Sequence, residues 1–340
     1  MAAPSSLTAR MAAAVQATKG TAMTTGFLTG LLTRSYMRPM FETLPENAEH
    51  GGAATTRPTV KKSAGFRTGY VHEWGGAGRL YPVFVGMLLR GAGFGATSVN
   101  NTTHRTHTFT IAARELAAWL SVMHRLGEGG EQFERKARDA RVSRLTLAAA
   151  RDGLTLDWEG MALFEAQSVG TETTAAETNI PFIPNDGVLT LTVGGTNIVT
   201  GCKRNEMVIE NPLSRDDFWL FAFGNADLPQ EGLSIRGTIG DVDLSYDLYR
   251  RLNWGGVAGT GVSADAVTGA LSYTYESAAN ISGAAVPYSL TVSVPTAEIK
   301  PLAGFEAQDR NLVRVGLDWE MVDTGSTPIT ITLVNGQTAY

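Results

Sequence analysis

Three segments in the second half of the chain share a period-two grammar that suits a half-buried β-strand. Val188-Leu-Thr-Leu-Thr-Val193 sends Leu189, Leu191 and Val193 to one face and Thr190 and Thr192 to the other. Tyr288-Ser-Leu-Thr-Val-Ser-Val294 repeats the alternation with Tyr288, Leu290, Val292 and Val294 inward, and Ile329-Thr-Ile-Thr-Leu333 repeats it near the end. Glycine, at 38 of 340 residues, exceeds the usual ~7% and supplies the turns that such strands need. A mainly β chain is expected, and a helical bundle is not.

Helices enter as short interruptions. Tyr81 to Arg90 is compact and apolar, with Gly91 and Gly93 to end it. In the second half Asp243 is placed to cap a helix whose Leu244, Leu248 and Leu252 fall on one stripe, stopped by Gly255-Gly256. Before the first helix, a strand-like stretch from Thr25 to Met40 precedes a long polar connection, Glu42 to Gly69, and a return strand around Tyr70 to Trp74. After it, His107-Thr-Phe-Thr-Ile-Ala112 reads as a strand, and Arg144-Leu-Thr-Leu-Ala148 and Leu154-Thr-Leu-Asp-Trp158 flank a hairpin turn at Asp152-Gly153.

The two halves thus present the same order: strand, long connection, strand, helix, strand, hairpin. Trp158 and Trp319 both follow an aspartate, in hairpins of similar layout. The expected division is an N-terminal arm over 1–24, one domain over 25–170, a Thr/Ala/Gly-rich linker over 171–187 and a second domain over 188–340. The arm is expected as a short helix or extended lead-in to a first strand near Thr25. Met1 to Phe41 holds basic but no acidic residues, the composition of a transit peptide, although the arm is the preferred reading.

Charge and cysteine exclude several classes. Twenty-eight Lys and Arg against 33 Asp and Glu give a net charge of −5, a poor match for gripping a nucleic-acid backbone. Cys202 is the single cysteine, so no intrachain disulfide framework exists. The apolar run Leu80 to Leu89 is far short of the ~20 residues of a membrane span, and no membrane role is expected.

Searches for catalytic chemistry end in plain readings. His104 and His107 point to opposite faces of a strand and lack companions for a metal site. Gly75-Gly-Ala-Gly78 reads as a turn, and no GxSxG, HExxH or Walker-type motif occurs. Lys203 and Arg204 could lower the Cys202 thiol pKa, but a β-edge cysteine is the simpler reading. Asp216-Asp217, Asp241 with Asp243, and Glu172 with Glu177 are possible acid pairs without a distinguishing signature. The basic run from Arg135 to Arg144 is interrupted by Asp139 and lacks interleaved aromatics, so it reads as a solvated or subunit-facing surface. No catalytic, cofactor-binding or metal-ligating residue is assigned.

Three passages taken in order resemble the tail tube proteins of long, non-contractile-tailed bacteriophages. They are Leu80 to Gly93 with the strand Thr106 to Thr110; Val188 to Gly194 with Glu206-Met-Val-Ile-Glu-Asn-Pro212; and Tyr288 to Ile299 with Leu312 to Trp319 and Ile329 to Gly336. The resemblance implies two tandem β-sandwich or barrel-like tube domains, each with a short flanking helix and a long inter-ring loop. It also implies rings of three chains with pseudo-sixfold symmetry, stacked helically into a tube for DNA in a virion tail assembled in the host cytoplasm. Partners would be further copies of the chain, tape-measure, terminator and tip proteins, and passing double-stranded DNA without specific binding.

The connection from Glu42 to Gly69 exceeds the ~12–15 residues usual for a structureless loop, so a partner is expected for it. Glu42, Glu46, Arg57, Lys61 and Lys62 are the candidate contacts with the adjacent ring, and removal of residues 47–59 should leave rings that do not stack. Net negative charge on the lumen would repel phosphate. The same composition would also serve a virion adhesin or decoration protein, or a two-acid carbohydrate-active β-sandwich enzyme.

Overall fold

The computed structural model describes residues 10–44, 66–113, 117–126, 133–166, 172–177, 179–199, 201–214, 227–243, 245–263, 265–301 and 314–340. Its first strands are β1 (Arg10–Val15), β2 (Phe27–Thr29), β3 (Leu32–Leu44) and β4 (Phe66–Arg79), followed by helix α1 (Phe84–Gly91). Next come β5 (Phe94–Asn100), β6 (Arg105–Ile111), β7 (Leu120–Leu126), β8 (Phe133–Ala150), β9 (Gly153–Ala166) and β10 (Thr174–Ala176). The second half has β11 (Phe182–Val193), β12 (Thr196–Val199), β13 (Arg204–Glu210), β14 (Ser234–Asp243) and helix α2 (Tyr246–Trp254). It ends with β15 (Val267–Asn280), β16 (Pro287–Pro301), β17 (Arg314–Met321) and β18 (Thr330–Asn335). The protein is mainly β with two short helices, as the alternation requires.

One antiparallel row runs β3–β4–β9–β8–β13–β14–β17–β16–β15–β11–β12. Two branches leave it where long strands outlast their neighbours. β7–β1–β2–β10 departs from the first part of β8, and β18–β6–β5 departs from the first part of β16. Only the β2–β10 pairing is parallel among these. The main core cluster draws on both halves of the chain, from Met11 to Leu333.

Within this row one connectivity occurs twice. β3–β4–β9–β8 and β13–β14–β17–β16 have the same strand order and the same antiparallel directions, and each helix follows directly on the second strand of its unit. The repeat reaches individual residues. Trp158 lies opposite Gly76 and Trp319 opposite Gly237, with equal separations along the chain. A Cβ on Gly76 would stand 2.6 Å from the Trp158 ring, and one on Gly237 would stand 2.7 Å from the Trp319 ring. Each glycine thus makes room for an indole that is at most 2% exposed. Both indole N–H groups are buried without an acceptor, so shape rather than hydrogen bonding holds the rings.

Several local expectations change. The N-terminal segment is a core strand: β1 pairs with β7 and β2, and Met11 and Ala13 are fully buried. Met11-Ala-Ala-Ala14 are all at most 2% exposed. Gln16 beyond it exchanges hydrogen bonds with Asp139 of β8, at 3.2 Å to the carboxylate and 2.8 Å from the backbone N–H. The described part of the expected linker, 172–177 and 179–187, holds β10, the start of β11 and the buried Phe182, Glu172 and Glu177. Gly75-Gly-Ala-Gly78 lies inside β4 instead of forming a turn, because Trp158 and Tyr36 fill the space that side chains would have taken. The α2 cap is Ser245, whose Oγ accepts from the Leu248 N–H at 3.0 Å, while Asp243 ends β14 and pairs with Arg314.

Candidate functional site

Strand alternation sorts the row into two faces. With Trp158 and Trp319 inward, Asp157, Glu159, Asp318 and Glu320 point outward. Acid and base alternate across this outer face. Arg34 pairs with Asp157 at 2.9 Å, Arg38 with Glu73 at 2.5 Å, Arg236 with Glu210 at 2.8 Å and Lys300 with Glu298 at 2.9 Å. A shallow depression of about 430 Å³ on this face is lined by Arg144, Glu206, Arg236, Glu298, Lys300 and Asp318. Such exposed pairs add little to stability, and the residues named on this face, eight acidic and five basic, leave it hydrated and net acidic.

The two repeated units meet edge to edge. Along β8 and β13 the register runs from Arg144 opposite Glu210 to Ala149 opposite Asn205. Leu145 and Leu147 face Ile209 and Met207 on the buried side, while Arg144 and Glu210 lie on the outer side. An edge that would otherwise be a template for aggregation is thereby used up inside the chain. At the far end of the row, β3 is hydrogen-bonded in a ladder to β4 alone among the described strands. Its outer face carries Arg34, Tyr36 and Arg38, with the Arg38 guanidinium 5.7 Å from the Tyr36 ring centre. Pro39 in the same strand is a residue that sheets tolerate at edges.

The expected inter-ring contacts are placed only in part. Glu42 lies in β3 opposite Thr68, and pairing continues to Leu44 opposite Phe66, so strands enter the region that composition marked as a connection. Glu46, Arg57, Lys61 and Lys62 lie outside the described residues.

The remaining candidates resolve into structural partners. His107 is fully buried and contacts Ser98 at 2.7 Å and Asn335 at 3.0 Å, whereas His104 precedes β6 and is half-buried. Burial pushes the Cys202 thiol up, away from an activated thiolate, and the adjacent Arg204 pairs instead with Asp241 at 3.3 Å. The basic run departs from its surface reading. Lys136 is 3% exposed and forms a 2.5 Å ion pair with buried Glu172, and Arg141 stacks 3.9 Å from the Trp119 ring centre. Asp216 and Asp217 lie outside the described residues, and among the described residues no three His, Cys, Asp or Glu side chains gather into a metal-sized group.

Glu177 has a role that sequence reasoning missed. Its carboxylate accepts from the Val83 and Phe84 N–H groups at 3.0 and 2.9 Å, capping α1 from far along the chain. Burial raises its pKa, opposed by these hydrogen bonds and by Asn179. No local signal marks this cap, because α1 carries no capping side chain of its own.

No known protein-family model matches the chain, and no curated protein matches it either. Among the described residues no helix is long and apolar enough to cross a membrane.

Proposed function

We propose that this chain is a tail-tube building block, two tandem tube domains whose copies join through sheet edges into rings that stack around a bore. The observation that carries the reading is the β8–β13 junction, at which two units of one connectivity are already joined edge to edge. A repeat that joins head to tail and leaves β3 laddered to β4 alone among the described strands can continue from chain to chain, and a closing rotation turns such heterologous contacts into a ring. Three chains would then supply six units. In this reading the branches β7–β1–β2–β10 and β18–β6–β5 form second layers over the inner faces, a sandwich-like arrangement.

The outer face supports passage of DNA without binding. Among the described residues its bases are interleaved with a larger number of acids, which gives a duplex no concentrated positive surface for counterion release. Tape-measure, terminator and tip proteins would meet the ends of such a tube in the virion tail. Negative-stain microscopy of the purified protein tests the proposal: tubes or stacked rings are expected. Discrete particles at every concentration and salt would overturn it, and glycan turnover by those particles would move the assignment to the carbohydrate-active class.

A further inference from the structure

We infer that Val267–Gly269 covers, in the free chain, an edge of β16 that the β3 strand of a second copy takes over on assembly. The inference rests on the ring reading above and assigns the edges that join. It starts from how β8 divides its two sides. β9 pairs along almost all of one side; on the other, β7 takes the part up to Ala140 and β13 takes Arg144 to Ala149.

β16 is the counterpart of β8, since Leu145 lies opposite Trp158 and Ile299 opposite Trp319. β15 is likewise the counterpart of β7. Leu120 pairs with Ala140 and Leu271 with Val294, and each of these positions stands five residues before the one facing the indole. Beyond this level β7 leaves β8 and β13 takes the place. β15 does not leave. After a register shift between Gly269 and Leu271, Gly269, Thr268 and Val267 stay paired with Ala297, Glu298 and Ile299.

Thr268 and Val267 therefore occupy the first two of the six positions that β13 fills in the first unit, with Gly269 just before them. None of residues 267–270 is fully buried, in contrast to the regularly buried positions from Leu271 onward, although Val267 packs on the main core cluster and Gly269 lies close against the Thr192 carbonyl. The chain leading to them contains Gly255, Gly256, Gly259 and Gly261, and Val262 is 84% exposed. Glycine widens the backbone conformations open to this lead-in, which is held to α2 by the Ser263 N–H donating to the Asn253 carbonyl at 2.8 Å.

The incoming strand follows from the same equivalence. Met207 lies opposite Gly237 and Ser35 opposite Gly76, so β3 is the counterpart of β13. Carrying over the β8–β13 register sets Arg38 opposite Glu298, Met37 opposite Ile299 and Tyr36 opposite Lys300 of the neighbouring copy. Inside the chain the corresponding pairs are Glu210 with Arg144, Ile209 with Leu145 and Val208 with Thr146. The opposite-charge pair recurs with its signs exchanged, and the inward apolar pair recurs as Met37 with Ile299. A slip of one residue would lose both matches and turn the wrong side chains inward.

A disulfide lock tests the exchange in a Cys202→Ser background. Thr268→Cys with Glu298→Cys joins directly paired strands, whose ~4.5–5.5 Å Cα spacing lies within disulfide reach. The oxidised protein should give at least tenfold fewer sedimenting tubes than the same sample after reduction; equal assembly in both states would overturn the inference. A second experiment mixes single variants. Arg38→Cys with Glu298→Cys should yield covalent dimers in assembled material, and a yield no higher than that of Arg38→Cys with Asp318→Cys would also overturn it. Tubes from the unmodified chain with an indifferent lock reject the edge exchange alone, whereas absence of tubes from the unmodified chain rejects the tube reading and this inference together.

Discussion

Around Trp158 the first unit is closed by rings: Phe84 of α1 meets the indole edge-on at 5.4 Å, and Trp74 lies 6.3 Å away. Around Trp319, at the equivalent point of the second unit, no ring pairs with the indole among the described residues. The helices differ in the same sense. Nearly all of α1 is buried, and it is capped by a residue from another part of the chain. α2 buries Leu248, Leu252 and Arg251, with Arg251 donating to the Val193 carbonyl at 2.8 Å, and it is capped by its own Ser245. One connectivity thus tolerates a helix used as a core plug and a helix used as an outer brace. The sheet defines the unit, and the helix adapts to what surrounds it.

The largest test of this contrast removes the two indoles. Truncation of a buried tryptophan costs about 3–5 kcal/mol, and aromatic pairs add about 0.5–1.5 kcal/mol beyond their area. Trp158→Ala should therefore lower the urea midpoint more than Trp319→Ala; equal shifts would show that the plugged core has no special weight. The caps come next. Glu177→Ala and Ser245→Ala should each cost about 0.5–2 kcal/mol, but hydrogen exchange should rise in both α1 and the strands flanking residue 177 for the first and in α2 alone for the second. Matching local footprints would break the distinction between a distant and a local cap.

The smallest effect is set by pH. Burial holds His72, His107 and His124 below the ordinary 6.5, so the folded chain keeps them neutral where the unfolded chain takes up protons. Their contribution is complete above the ordinary value and is lost as pH falls through the window beneath it. Glu177 has the opposite sign: its raised pKa lets the folded carboxyl hold a proton that the unfolded one releases, so acidification above the ordinary 4.5 favours folding at that site. The melting temperature should fall between pH 7.5 and 5.5, and because every histidine precedes residue 125, β4 and β7 should lose exchange protection before β14 and β17. Simultaneous loss would make the halves one cooperative unit.

The strands around Leu191, Val292 and Ile331 were legible because a face packed against a core and a face in water impose period two on the text itself. α1 was legible from its compact apolar run and following glycines, and α2 from its leucine spacing and Gly255. The repeated Asp-Trp pair marked equivalent positions before any sheet was known. The burial of Lys136 and Arg141 was not legible, because their partners, Glu172 and Trp119, are contributed by other segments. β1 was missed for a related reason: its alanines carry little pattern, and their burial depends on strands β2 and β7 from other parts of the chain.

By itself the amino-acid order determined the alternating strands and the two short helices, since each depends on side chains within a few residues of one another. The tertiary structure alone decided that β8 meets β13, that Glu177 caps α1 and that Val267–Gly269 lies on β16. Those outcomes depend on which backbone edges remain unpaired after the local elements form, and hydrogen-bonding capacity at an edge is common to every sequence.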